Sequence, residues 1–103
     1  MKEENLGIKI GTIISVQKVD GTDRLCAVKI DIGDKVIQIA MAVPSYFERD
    51  YLIGKQVPIK IDVSPIKIRG IESQARFLTT INENKKTILL MPEQKVPNGS
   101  EVW

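Results

Sequence analysis

The sequence contains no histidine and only one cysteine, Cys26. A single cysteine cannot form an internal disulfide. The missing histidine removes the commonest general base, the usual Ser–His and Cys–His nucleophile pairs, and most metal sites. We therefore predict a protein that is not an enzyme. We expect no catalytic residues, no bound metal or cofactor and no small-molecule substrate.

Long apolar runs and a strong net charge are also missing. No apolar run approaches the ~20 residues that cross a bilayer, and the first residues, MKEENLG, lack the apolar stretch of a signal peptide. We expect a cytoplasmic protein without membrane contact. The formal net charge is only +2. This value permits an anionic partner, but it is far below that of a protein that coats nucleic acid indiscriminately.

The composition of the 103-residue chain is that of one folded domain. Apolar residues make up 43% and charged residues 27%, a balance typical of folded proteins, and the length suits a single core. The chain contains no repeat, low-complexity segment or linker. We expect one domain, residues 1–103, in which residues 1–7 form a flexible amino terminus.

Alternating apolar residues, many of them β-branched, predict strands. The turns DGTD and GD separate the first three strands, which read as an antiparallel meander over residues 8–43. Pro58, in the fourth strand, has no N–H to donate and predicts a bulge or an edge-facing position there. The residues predicted to face inward in the first, second and fourth strands are Ile8, Ile10, Ile14 and Val16; Cys26, Val28, Ile30 and Ile32; and Val57, Ile59, Ile61 and Val63.

The segment PSYFERDYLIG interrupts the alternation and predicts one short helix. Ser45 followed by Glu48 has the pattern of a capping box. Phe47 and Tyr51 share one helical face, and Gly54 ends the helix. We expect both aromatic side chains to pack the helix against the strands.

The rest of the chain predicts a hairpin, ARFLTTI and KTILLM joined by NENK, and a terminal strand in KVPNGSEVW. Asn98-Gly99-Ser100 matches a glycosylation acceptor, but without a secretory signal we interpret Asn98-Gly99 as a turn. The strands are short, one helix follows the third strand, and the chain lacks the alternation of strands and helices that a parallel βαβ fold requires. We therefore predict an all-β OB fold. This is a five-stranded Greek-key barrel, here with a C-terminal extension. A β-sandwich is the alternative, but it does not require a helix at that position.

Five segments, in matching order and spacing, resemble the dimeric tRNA-binding domain: IKIGTI, DGTDRL, VKIDIG, YLIGKQV and SPIKIRGIESQ. This family occurs fused to methionyl-tRNA synthetases and as stand-alone archaeal methionyl-tRNA synthetase beta-like proteins. The last residues of this chain, VPNGSEVW, resemble the ending of the stand-alone form. The resemblance covers residues 8–103. It implies an OB-fold homodimer without catalytic activity, which binds folded tRNA by backbone and shape and aids methionyl-tRNA synthetase.

The chain departs from the family's usual motifs where a ligand is expected. Asp62-Val63-Ser64-Pro65 stands where the family has Asn-Leu-Lys-Pro, and Ala75-Arg76 stands where it has Gly-Met. Gly7 takes the place of an aspartate, and Lys9 that of an arginine. These differences support an alternative function, a protein- or peptide-binding OB module, chaperone-like or synthetase-docking, with a degenerate tRNA site.

Basic residues carry the prediction of an RNA site. From Lys55 to Arg76, five basic residues stand against two acids, a local excess larger than the +2 of the whole chain. For each cation the alternative is an ordinary solvated charge, and for Ser73 it is a turn cap. The predicted RNA contacts are Lys67, Arg69, Ser73, Arg76, Lys60, Lys29 and Lys55.

Aromatic residues make up only 5% of the chain. Proteins that bind single strands stack bases on exposed rings, but here Tyr46, Phe47 and Tyr51 crowd the predicted helix and Phe77 begins a strand. This placement favours recognition of folded RNA through its backbone. An exposed terminal tryptophan is unfavourable, and we therefore predict that Val102 and Trp103 contact a second subunit. Cys26 is interpreted as a core residue.

Overall fold

The computed structural model describes residues 5–44 and 47–103. Within these ranges the chain forms nine strands and one short helix. The elements are β1 Ile8–Lys18, β2 Leu25–Asp31, β3 Val36–Ala42, α1 Arg49–Leu52, β4 Gln56–Lys60, β5 Ile66–Ile68, β6 Ile71–Ser73, β7 Arg76–Phe77, β8 Thr79–Ile81 and β9 Thr87–Leu89.

Five strands form one antiparallel sheet in the order β3-β2-β1-β4-β7, and β5–β6 and β8–β9 are separate hairpins. The sheet curves around an apolar core and leaves its ends, β3 and β7, without a shared ladder. Near this opening the Gln74 N–H donates to the Gln38 carbonyl at 2.8 Å, and the Gln38 N–H donates to Gln74 Oε1 at 2.8 Å. The predicted all-β, OB-type architecture is confirmed, as a barrel whose sheet is not closed.

The core follows the predicted alternation in β2 but not throughout β1. All four predicted residues of the second strand are at most 3% exposed, from Cys26 to Ile32. In β1 the register shifts between Ile13 and Ser15. As a result Ile13 is buried and Ile14 is 44% exposed, so the inward position predicted for Ile14 is wrong. A bulge adds one residue and reverses the faces beyond it, which simple alternation cannot predict.

Burial also sets the chemistry of Cys26. The thiol belongs to the core cluster, and desolvation raises its pKa because burial disfavours the charged thiolate. Cys26 is therefore a core residue, as predicted.

The helix is shorter than predicted, since α1 contains four residues. Glu48 is its N-cap residue and makes no side-chain capping hydrogen bond; Ser45, the predicted cap, lies outside the described residues. Phe47 packs against the core, whereas Tyr51 is 50% exposed. The prediction that Tyr51 packs against the strands is therefore wrong. A helix of this length cannot cross a bilayer, and the described part of the chain has no membrane-spanning helix.

The C-terminal extension, residues 90–103, lies beside the first half of β1. The Ile10 N–H donates to the Ser100 carbonyl at 2.8 Å, and the Ile10 carbonyl accepts from the Gly99 N–H at 2.7 Å. Pro58 pairs with Ile10 from β4, on the other side of β1. Because both backbone groups of Ile10 bond the extension, the missing N–H of Pro58 leaves no gap in the β1–β4 ladder.

The chain before β1 is tied to β4. The Ile61 N–H donates to the Gly7 carbonyl at 2.7 Å, and the Lys60 ammonium donates to the Leu6 carbonyl. Residues 5–7, expected to be part of a flexible terminus, are thus held by hydrogen bonds. Residues 1–4 of that segment lie outside the described residues.

Candidate nucleic-acid interface

The segment that carries most of the predicted RNA contacts is the β5–β6 hairpin. Ile68 pairs with Ile71, which leaves Arg69 and Gly70 as a two-residue loop. Both have positive φ, 54° and 82°, the combination that a type I′ turn requires. The hairpin therefore presents Arg69 at its tip.

The two faces of the hairpin differ in character. Lys67 lies directly opposite Glu72, while Ile66 lies opposite Ser73. Because side chains alternate along a strand, the charged pair and the Ile66–Ser73 pair point to opposite faces. Lys67 and Glu72 are both exposed, so one face of the hairpin displays a lysine and a glutamate beside the arginine at the tip.

Arg69 occupies a conformation that disfavours its side chain. Left-handed backbone costs a residue with a Cβ about 1–2 kcal/mol, and glycine or asparagine would fit a type I′ turn better. In the described part of the chain, Lys85 is the other non-glycine residue with positive φ, at 64°. Because Lys85 shares this conformation, the backbone of Arg69 fixes where its side chain projects but does not by itself indicate a function.

Ser73 anchors the hairpin. It is 6% exposed, and its Oγ accepts from the Ala40 N–H at 3.1 Å and donates to the Ala75 carbonyl at 3.4 Å. Gln38 Nε2 adds a bond to the Glu72 carbonyl at 3.0 Å. The Ser73 hydroxyl is therefore engaged inside the fold, docking β6 on β3. It does not face the surface.

Lys60 and Arg76 lie opposite each other on β4 and β7. The Lys60 ammonium is 2.8 Å from Asp62 Oδ1 and also bonds the Leu6 carbonyl. The hydrogen bond from Lys60 lowers the pKa of Asp62. Lys60 is thus partly neutralised within the protein, while Arg76 is exposed.

Arg76 also lies on the rim of a groove of about 430 Å³ between β3, the β5–β6 hairpin and β7. Apolar side chains line most of it, including Met41, Ile66, Ile68 and Phe77. Sequence analysis missed this groove, because it forms where segments distant along the chain meet.

Lys29 and Lys55 lie in different places. Lys29 is exposed on β2, opposite Gln38, and Gln38 holds the hairpin, so Lys29 lies near the hairpin base. Lys55 precedes β4 at the end remote from Lys60, about 17 Å away along an extended strand. Its ammonium lies 4.6 Å from the centre of the Tyr51 ring. The structure therefore brings Lys29 towards the hairpin and leaves Lys55 apart.

The predicted subunit contacts lie in an apolar surface at the end of the chain. Trp103 is 61% exposed, and Leu90 and Met91 are 41% and 50% exposed. With Ile10, Pro58, Val102 and others they line a groove of about 470 Å³. Exposed apolar patches of this kind mark interaction sites.

The structure is thus an open OB-type barrel that carries an exposed hairpin with two basic residues, Lys67 and Arg69. The sequence profile of the family described as "Putative tRNA binding domain" matches residues 8–101. The chain belongs to this family, which confirms the resemblance drawn from its motifs.

Curated relatives are methionine–tRNA ligases. The enzyme of Thermococcus kodakarensis is 35% identical over 97 residues, covering 94% of this chain and 13% of the relative. That of Flavobacterium johnsoniae is 33% identical over 97 residues, covering 94% of this chain and 14% of the relative. The chain thus spans about one seventh of the length of these relatives.

Solved structures agree on the fold. A methionyl-tRNA synthetase-related protein from Pyrococcus horikoshii superposes with a TM-score of 0.85 at 26% identity, covering 93% of this chain and 88% of that chain. The CsaA chaperone from Bacillus anthracis str. Ames superposes with a TM-score of 0.81 at 23% identity, covering 93% of this chain and 89% of that chain. The chaperone likeness shows the fold alone.

Proposed function

We propose that this protein is a non-catalytic tRNA-binding accessory that recognises folded tRNA by backbone and shape and aids methionyl-tRNA synthetase in the cytoplasm. The observation that carries the proposal is the match of residues 8–101 to a tRNA-binding domain family. The exposed position of Arg69 at the hairpin tip, close to Lys67, adds support from the structure.

The contacts we propose are charge contacts with phosphates. Lys67 and Arg69 project from the hairpin, Lys29 lies near its base and Arg76 lies on the adjoining groove, each exposed. Cations that neutralise phosphates release counterions, so affinity falls with salt, by a log–log slope of about 0.7–0.9 per contact. Phosphate contacts orient the protein on a folded RNA without reading its sequence. Lys60 and Lys55 are secondary contacts, since both are engaged within the protein, and Ser73 positions the hairpin.

The aromatic side chains support backbone recognition. The rings of Phe47 and Tyr51 stack with centroids 6.0 Å apart, and the Lys55 ammonium lies over the Tyr51 ring. The Tyr51 ring thus contacts the Phe47 ring and the Lys55 ammonium, so part of its surface is already occupied within the protein. A site of this kind binds RNA by charge and shape rather than by base stacking.

Retardation of tRNA in a native gel tests the proposal. The wild-type protein is expected to retard unfractionated tRNA at low salt, with affinity falling steeply between about 50 and 200 mM salt. A single-stranded RNA of equal length should compete weakly, because the proposed contacts follow the folded backbone. The proposal fails if tRNA is not retarded at low ionic strength.

We also propose that the active form is a homodimer joined through the C-terminal extension. Trp103, Val102, Leu90 and Met91 form its apolar surface, and burying such side chains contributes about 25 cal/mol per Å². Sedimentation velocity should give a species of twice the 11.5 kDa chain mass, and Trp103→Ser should shift it towards the monomer. A wild-type protein that stays monomeric at high concentration contradicts this proposal.

The apolar groove favours a second candidate function, binding of an extended peptide. Ile66 is 53% exposed at this groove, and apolar pockets with few polar groups are typical ligand sites. Peptide binding would be insensitive to salt and would not be competed by tRNA. These two properties distinguish it from the function proposed above.

A further inference from the structure

We propose that Asp62 restrains the RNA site: it withholds Lys60 from phosphate and sets the affinity for tRNA below what the basic residues alone would give. This inference rests on the proposed tRNA-binding function. It assigns to an acidic residue a role in limiting that function, and it predicts a single substitution that strengthens binding.

The first support is the position of Lys60. Lys60 and Arg76 are directly opposed on β4 and β7, and like charges directly opposite each other are unfavourable. Two adjacent cations on one face could also contact the same phosphate. Asp62 removes one of them, because its Oδ1 lies 2.8 Å from the Lys60 ammonium.

The second support is the position of Asp62, whose carboxyl group lies against Gly7. Gly7 has a φ of 69°, and a Cβ added to Gly7 would overlap all three atoms of the Asp62 carboxyl group. The Gly7 carbonyl accepts from the Ile61 N–H at 2.7 Å, which holds the segment before β1 against the end of β4. The carboxylate thus occupies the space that a side chain at position 7 would fill, and the Lys60 bond to Leu6 fixes the ammonium on the same segment.

The third support is the exposure of the pair. The Lys60 and Asp62 side chains are 34% and 55% exposed, so a phosphate can approach both. Ion pairs this exposed contribute little to stability. Their effect on a polyanion is larger, because the carboxylate both cancels the lysine and repels the phosphate.

Asp62→Asn tests the inference, since an amide keeps the size of the side chain and a hydrogen-bond acceptor for Lys60 while removing the charge. We expect tRNA affinity at low salt to rise roughly three- to tenfold and the salt slope to steepen by about one. Asp34→Asn, at an exposed acid in the β2–β3 turn, is the matched control for net charge and should leave affinity nearly unchanged. Asp62→Ser serves as a second variant if thermal unfolding shows that Asp62→Asn is destabilised.

A double-mutant cycle with Lys60→Gln tests whether Asp62 acts on tRNA binding through Lys60. If Asp62 acts by holding Lys60, the gain from Asp62→Asn should largely disappear in the Lys60→Gln background. An equal gain in both backgrounds would overturn the role of Lys60. If Asp62→Asn binds tRNA no more tightly than the wild type, the inference is wrong and the proposed function still stands. If neither the wild type nor the variants bind tRNA, the proposed function itself is wrong.

Discussion

Replacing Lys67 and Arg69 together by glutamate is expected to abolish the retardation of tRNA, with a loss of roughly 100-fold or more at low salt. Two phosphate contacts disappear, and two negative charges take their place on the most exposed part of the β5–β6 hairpin. The salt slope should fall by about two. Gel shifts at several salt concentrations measure both quantities.

Lys85 and Lys86 provide the matched control. They lie in the loop of the other hairpin, between β8 and β9, and both are exposed. Lys85 shares the positive φ of Arg69. Converting both to glutamate lowers the formal net charge by four from its value of +2, as does the test pair. Equal losses in the two double variants would mean that net charge, and not the β5–β6 hairpin, determines binding.

The sequence predicted the strands well where each apolar side chain follows the local alternation. Every inward residue predicted for the second strand is buried, because β2 pairs with β3 in unbroken register over its whole length. In β1 the prediction was wrong at Ile14, since β1 changes partner along its length, from β4 to β2. A long strand shared between two neighbours bends, and the bulge at residues 13–15 takes up that bend.

Charge patterns in the sequence identified the candidate residues, and the structure shows their surroundings, which no local pattern contains. Basic residues in a loop-like segment pointed to Lys67 and Arg69, and the structure exposes both. The sequence did not distinguish Ser73, because a serine that anchors a hairpin and one that meets a phosphate look alike until the partner 33 residues away, Ala40, is known. The same holds for Lys60, whose ammonium donates a hydrogen bond to the Leu6 carbonyl, 54 positions away along the chain.

The second large effect concerns stability. Gly99→Ala is expected to lower the free energy of unfolding by roughly 2–4 kcal/mol. Gly99 has a φ of 89°, and a Cβ there would lie 2.5 Å from the Ile32 carbonyl oxygen. A backbone atom cannot move aside as the end of a side chain can. The Gly99 N–H also donates to the Ile10 carbonyl at 2.7 Å, so displacing this residue breaks the bond that holds the extension to β1.

Gly21→Ala separates the two causes of that loss. Gly21 also has a positive φ, 79°, but an added Cβ would meet no atom within 4 Å. It should therefore show the backbone cost alone, about 1–2 kcal/mol. Urea unfolding measures the loss of unfolding free energy in both variants. The difference between the two losses is the cost of the close contact between the Cβ added at position 99 and the Ile32 carbonyl oxygen. Sedimentation of Gly99→Ala then tests the dimer, because Val102 and Trp103 follow directly on the displaced turn. Equal losses in stability would mean that the extension shifts freely, and its apolar surface would then have no fixed position from which to join two subunits.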